Sequence, residues 1–222
     1  MKPILPAATA LCAAVLGLAA LAAEPRSAVQ ERPALSDLDR KVAAFLESRR
    51  GRWHDMNVPE TDGRVLYDLV LKNGYTRALE IGTSTGHSGI WIAWALSKTG
   101  GKLTTIEIDE ERHRLAVENF REAGLAGFVD ARLADAHELV ASLPGPFDFV
   151  FCDADKDWYP RYLKDAWPKI EPGGCFAAHN VRNGMSGIED FLALARSLPG
   201  ARTTIDESSW SGISETFKQP SR

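Results

Sequence analysis

The chain is poor in the residues that would staple it covalently or draw it to a polyanion. Its 222 residues hold only 3 cysteines, and a domain of this size buries a continuous core without disulfides. Cys12 lies in an apolar leader, while Cys152 and Cys175 each sit inside an apolar run that reads as a strand, in a register that argues against a bridge. Positive charge is not in excess either. With 26 Lys and Arg against 30 Asp and Glu, the net charge of -4 excludes a general attraction to nucleic acid or anionic lipid. No internal repeat is present, and the G-x-G-x-x-G dinucleotide fingerprint is missing, which argues against a nicotinamide-dependent oxidoreductase.

One long apolar run does exist, at the N-terminus. Lys2 is the only charge before Glu24, and the segment from Ile4 to Ala23 is almost wholly apolar, densest from Leu11 to Leu21. A basic start, an apolar middle and Ala20-Leu21-Ala22 as an A-x-A site predict a signal peptide over residues 1–23. The expected fate is export, with no stable membrane association after cleavage; the alternative is an uncleaved membrane anchor. Residues 24–34, polar and Pro-containing, read as a linker, which leaves one domain over residues 35–222.

In that domain Ser36 and Asp39 form a capping-box pattern ahead of a first helix, whose apolar face runs through Leu35, Leu38, Val42, Phe45 and Leu46. A second helix follows Pro59 and Thr61 and stops at Gly74. Beyond it, short apolar runs alternate with amphipathic stretches. Strands are predicted over 78–81, 103–108, 128–133, 147–152, 175–178, 203–205 and 213–217, and helices over 87–97, 110–123, 136–143, 159–170 and 187–197. This alternation predicts an α/β, doubly wound, mainly parallel seven-stranded sheet that ends in an antiparallel edge hairpin.

Such sheets bind ligands beyond the carboxyl ends of their strands. The first strand runs into Glu80-Ile81-Gly82-Thr83-Ser84-Thr85-Gly86-His87-Ser88, a glycine-bearing turn at a helix N-terminus that lets a ligand approach the backbone. The second ends at Glu107, 21 positions after Gly86, where a carboxylate can accept from ribose hydroxyls. Asp109 and Asp135 read as helix caps, and Asp135 could also accept from an adenine amino group. The fourth strand delivers Asp153 and Lys156, and the fifth delivers His179 and Asn180. Neighbouring parallel strands lie about 4.8 Å apart, so these groups can converge as ligands of a divalent ion. Trp53, Trp158, Tyr159 and Trp210 are candidate aromatic walls.

The segments 78–88, 105–109 and 147–156, Pro172-Gly173-Gly174 and Asn180-Val181 together resemble the cation-dependent O-methyltransferases of the catechol and caffeoyl-CoA type. The likeness runs in order from Trp53 to Val181, and Met56-Asn57-Val58 is similar to the segment that covers the methyl donor. It implies a class I methyltransferase fold and S-adenosylmethionine as donor, held around Val58, Glu80, Gly82, Ser84, Ser88, Glu107, Asp135 and Asp153. It further implies Asp153, His179 and Asn180 as metal ligands, Lys156 as general base beside Asp153, and a small catechol-like acceptor. One departure stands out: His179 replaces the family's aspartate. A neutral imidazole in place of a hard carboxylate weakens Mg²⁺ and favours Mn²⁺ or Zn²⁺, or abolishes the site and leaves a metal-independent enzyme or a non-catalytic donor-binding module. A homodimer stays open as an assembly.

Overall fold

The computed structural model describes residues 1, 35–53, 55–182 and 184–220. The expected signal peptide and linker therefore lie outside the described residues, Met1 apart. All the secondary structure described belongs to the compact unit Leu35–Arg222. Its elements are α1 (Asp37–Ser48), α2 (Glu60–Asn73), β1 (Arg77–Ile81), α3 (His87–Thr99), β2 (Lys102–Glu107), α4 (Glu110–Glu122) and β3 (Val129–Leu133). Then come α5 (Ala136–Ser142), β4 (Phe147–Cys152), α6 (Tyr159–Ala166), β5 (Ile170–His179), α7 (Ile188–Ser197), β6 (Ala201–Asp206) and β7 (Ile213–Lys218).

The sheet order is β3-β2-β1-β4-β5-β7-β6. The first five strands are parallel, and β7 inserts antiparallel between β5 and β6. The expected seven-stranded doubly wound sheet with a closing hairpin is what forms. Chain order reverses between β1 and β4, which places a crevice over the carboxyl ends of those two strands.

Strand pleating explains why the central runs are apolar throughout. Phe149 and Phe151 of β4 pack with Cys175 and Ala177 of β5 on the side of α1, α2 and α3. Val150, Cys152, Phe176 and Ala178 pack on the opposite side, against α6 and α7. Both faces are covered, so neither set of alternate residues can be polar; each fully buried phenylalanine contributes about 1.5–3 kcal/mol. The register pairs Phe149 with Cys175 and Cys152 with Ala178, so the two cysteines are three steps apart and both are free.

Local signals act as the sequence indicates. Ser36 and Asp39 form the reciprocal capping box of α1, and Gly74 ends α2 in the left-handed region at φ 67. Two boundaries differ. The stretch expected as one helix from 159 to 170 stops at Ala166 and tightens into a 3₁₀ turn, because Pro168 cannot donate the helical hydrogen bond. β5, expected over 175–178, begins at Ile170 and takes in Pro172-Gly173-Gly174, and its register with β4 shifts between Phe147 and Phe149.

Candidate functional site

The β1–α3 turn needs its glycines. Gly82 has φ 94, and a Cβ there would lie 2.8 Å from the Asp153 carbonyl oxygen, so only a bare backbone fits between the ends of β1 and β4. Ser84 also takes a positive φ of 49, which turns its N–H onto Glu107 Oε2 at 2.7 Å. Glu107 Oε1 accepts from the N–H groups of Ile108 and Asp109 at 3.1 and 3.0 Å. Three backbone donors thus hold one carboxylate rigidly at the strand end.

Residues 56–59 cover this turn. The Asn57 side chain donates to Thr85 Oγ1 at 2.8 Å. His87 donates from Nδ1 to the Val58 carbonyl at 2.8 Å and accepts at Nε2 from the Trp91 indole at 3.1 Å. That pair of bonds requires the neutral tautomer, and burial pushes the His87 pKa below its ordinary value. Asp55 forms a two-pronged ion pair with Arg112 at 2.6 and 2.9 Å, tying the covering segment to α4.

The crevice beneath has a volume of about 720 Å³, within the range of small-molecule sites. Of the residues proposed from sequence, Gly82, Ser84, Glu107, Asp135, Asp153, Lys156, His179 and Asn180 meet on its walls. Val58, Glu80 and Ser88 do not; all three are buried in the packing around it. Glu80 accepts from Thr105 Oγ1 at 2.6 Å, and burial pushes its pKa up to about 7. Asp109 and Asp135 cap α4 and α5 as expected.

The aromatic candidates divide. Trp53 stacks on His87, and Tyr159 is fully buried with its hydroxyl on the His179 carbonyl, so both serve packing. Trp158 lies against His137 with ring centroids 3.9 Å apart, and Trp210 is 80% exposed. The wall includes Tyr162, which sequence reasoning passed over because it falls in the amphipathic pattern of α6; its hydroxyl donates to Asp155 at 3.0 Å.

The ends of β4 and β5 follow from the pleat. Asp153 continues the parity of Phe149 and Phe151, and His179 continues that of Cys175 and Ala177, so both side chains leave the sheet toward α2. Asp62 meets them there. His179 Nδ1 is 3.0 Å from Asp153 Oδ2, and its Nε2 is 2.5 Å from Asp62 Oδ2. Lys156 Nζ donates to Asp153 Oδ1 at 2.7 Å and to the Ala154 carbonyl at 3.0 Å. Burial opposes a charge on His179, but the two carboxylates outweigh it and raise its pKa to about 9. Asp62 went unnoticed in the sequence, yet the signal was there: it occupies the buried stripe of α2 with Leu66, Leu69 and Val70, where a carboxylate must have a partner.

A divalent ion at Asp153, His179 and Asn180 does not fit this geometry. Both imidazole nitrogens already face carboxylates, and both Asp153 oxygens already accept hydrogen bonds. Among the described residues no three His, Cys, Asp or Glu side chains converge so as to hold a metal.

A sheet of this order, with a glycine turn after β1, an acid at the end of β2 and a crevice at the reversal point, defines the class of S-adenosylmethionine-dependent methyltransferases. The profile of an O-methyltransferase family matches residues 26–190. A catechol O-methyltransferase from Niastella koreensis is 34% identical over 68% of this chain and 73% of its own length. The caffeoyl-CoA O-methyltransferase 1 of Eucalyptus globulus is 32% identical over 58% of this chain, which spans about half (54%) of that relative. Among solved structures, an O-methyltransferase from Bacillus cereus in complex with SAH superposes with a TM-score of 0.71 at 29% identity, covering 82% of this chain and 91% of the other. An O-methyltransferase of tomaymycin synthesis from Streptomyces achromogenes, in complex with SAM, gives 0.71 at 26% identity over 82% and 91%. The chain belongs to the O-methyltransferase family.

Proposed function

We propose that the crevice binds S-adenosylmethionine across Gly82, Ser84 and Glu107 and transfers its methyl group to a hydroxyl of a small acceptor seated beside Lys156. The observation that carries this reading is the convergence of the glycine turn, the clamped Glu107 carboxylate and the Asp153–Lys156 pair on one crevice. Glu107 has one lone pair, on Oε2, left for a ribose hydroxyl after taking three backbone donors. Asp135, on the same crevice wall, serves in this reading as acceptor for the adenine amino group. Met56 and Met185, 67% and 47% exposed, stand at the mouth with Ser211 and give the acceptor an apolar, adaptable surface.

In the reaction the acceptor oxygen attacks the methyl carbon in line with the sulfonium, the O–CH₃ bond forms, and the S–CH₃ pair stays on sulfur. Lys156, which pairs with Asp153 as the ammonium, gives a proton to water and then takes the hydroxyl proton, returning to the charged form. Holding both reactants in line supplies a large part of the acceleration. Since the sulfonium and the developing oxyanion neutralise each other, a crevice partly shielded by residues 55–59 favours the transition state over the separated charges.

For an acceptor with vicinal hydroxyls, one oxygen reaches Lys156 and the other the Asn180 amide. The test is a methyl-transfer screen of catechols and related small hydroxyl compounds, with Lys156→Met beside wild type. Donor binding without methylated product from any acceptor would leave only a binding module. Export from the cytoplasm is part of the same proposal, supported by the composition of residues 1–23 alone; N-terminal sequencing of the mature protein checks it.

A further inference from the structure

The strand-end cluster is more than a metal site with one ligand substituted. A carboxylate has acceptor oxygens only, so a histidine ring facing a carboxylate with each nitrogen must donate from both. A neutral ring would set one lone pair against carboxylate lone pairs at 2.5 or 3.0 Å. The cluster then contains two anions, Asp62 and Asp153, and two cations, His179 and Lys156, and is balanced without any ion from outside. Asp62 is 1% exposed and its Oδ1 has no hydrogen-bond partner, so its charge depends on His179. Beside the imidazole itself the Phe151 ring lies 6.4 Å away and the Tyr159 hydroxyl donates to the His179 carbonyl, while the buried Glu80 carboxyl acts on Asp153 and has its own pKa pushed up to about 7 by burial.

We propose that the His179 imidazolium, clamped between Asp62 and Asp153, stands in the place of a divalent ion, so that this enzyme works with a built-in cation and binds no metal at the ends of β4 and β5. Asp62 and His179 form one device: α2 supplies the carboxylate that makes a histidine workable at the end of β5. His179 is a positioning residue. It holds Asp153 Oδ2, and Asp153 in turn fixes Lys156 Nζ through Oδ1 beside the acceptor. The alternative, a softer ion on the imidazole, requires a ring nitrogen to abandon a buried carboxylate, and adds two positive charges to a neutral cluster.

The built-in cation rests on the methyl-transfer reading for its consequence, but its test does not. Metal-stripped wild-type protein is titrated with Mn²⁺ and followed by electron paramagnetic resonance, while nitrogen NMR reports the protonation of the His179 ring at neutral pH. No stoichiometrically bound Mn²⁺ and two protonated ring nitrogens are expected, with turnover unchanged by a chelator. The double variant Asp62→Ser, His179→Asp, which restores a carboxylate and removes the competing one, is expected to take up one Mn²⁺. One tightly bound Mn²⁺ on wild type, or a singly protonated ring, would overturn the proposal. Neither readout depends on turnover, so failure to find an acceptor would count against the function and leave the built-in cation standing.

Discussion

Replacing Asp62 by asparagine removes the charge behind the shorter of the two hydrogen bonds to His179 and leaves a buried imidazolium with Asp153 as its sole counter-charge. The raised His179 pKa, about 9 against 6.5, means that pairing with the two carboxylates outweighs the burial of the imidazolium by about 3 kcal/mol. Losing one of the two should cost roughly 1.5–3 kcal/mol at neutral pH. Because the folded-state value lies above the unfolded one, this stability is fully present below pH 6.5 and fades as pH rises through about 9. Urea denaturation across that window should show wild type losing stability and Asp62→Asn following a flatter curve from a lower start. Combining Asp62→Asn with His179→Gln should cost less than the sum of the two single changes, by about 1 kcal/mol or more. A single variant as stable as wild type at neutral pH with the same pH slope, or strictly additive costs, would refute the coupling.

Lys156→Met keeps the aliphatic stem but removes the proton acceptor, so kcat should fall roughly a hundredfold or more while the donor KM holds, as steady-state kinetics would show. Glu107→Gln replaces one of two oxygens that accept from three backbone N–H groups by an amide donor; calorimetry should record roughly tenfold or greater weakening of S-adenosylhomocysteine binding. Gly63→Ala would drive a Cβ into the Trp91 ring where α2 crosses α3, lowering the urea midpoint by about 1–3 kcal/mol of stability with little change in slope.

Most of this was legible in the chain because the signals are local. Strand runs such as 149–152 lie buried on both faces and are apolar throughout, and the turn from Gly82 to Gly86 has few backbone solutions. The caps at Ser36, Asp109 and Asp135 are likewise written within three residues. What escaped was long-range. The imidazole of His179 meets Asp62 across 117 residues, through the packing of α2 on the sheet, and no spacing in the sequence reports that. For the same reason Glu80 and Ser88, adjacent in sequence to the glycine turn, end beneath it rather than on the crevice wall. Trp53 and Tyr159 illustrate the ambiguity of aromatics, whose type alone does not separate wall from core.

Methyl transfer from a sulfonium nucleoside to an acceptor hydroxyl in this crevice meets its sharpest test with donor carrying a deuterated methyl group and mass spectrometry of a catechol acceptor in the presence of a chelator. An intact CD₃ group on oxygen is the expected result. Recovery of unmodified acceptor from this and from every other small hydroxyl compound, with the donor bound, would contradict it.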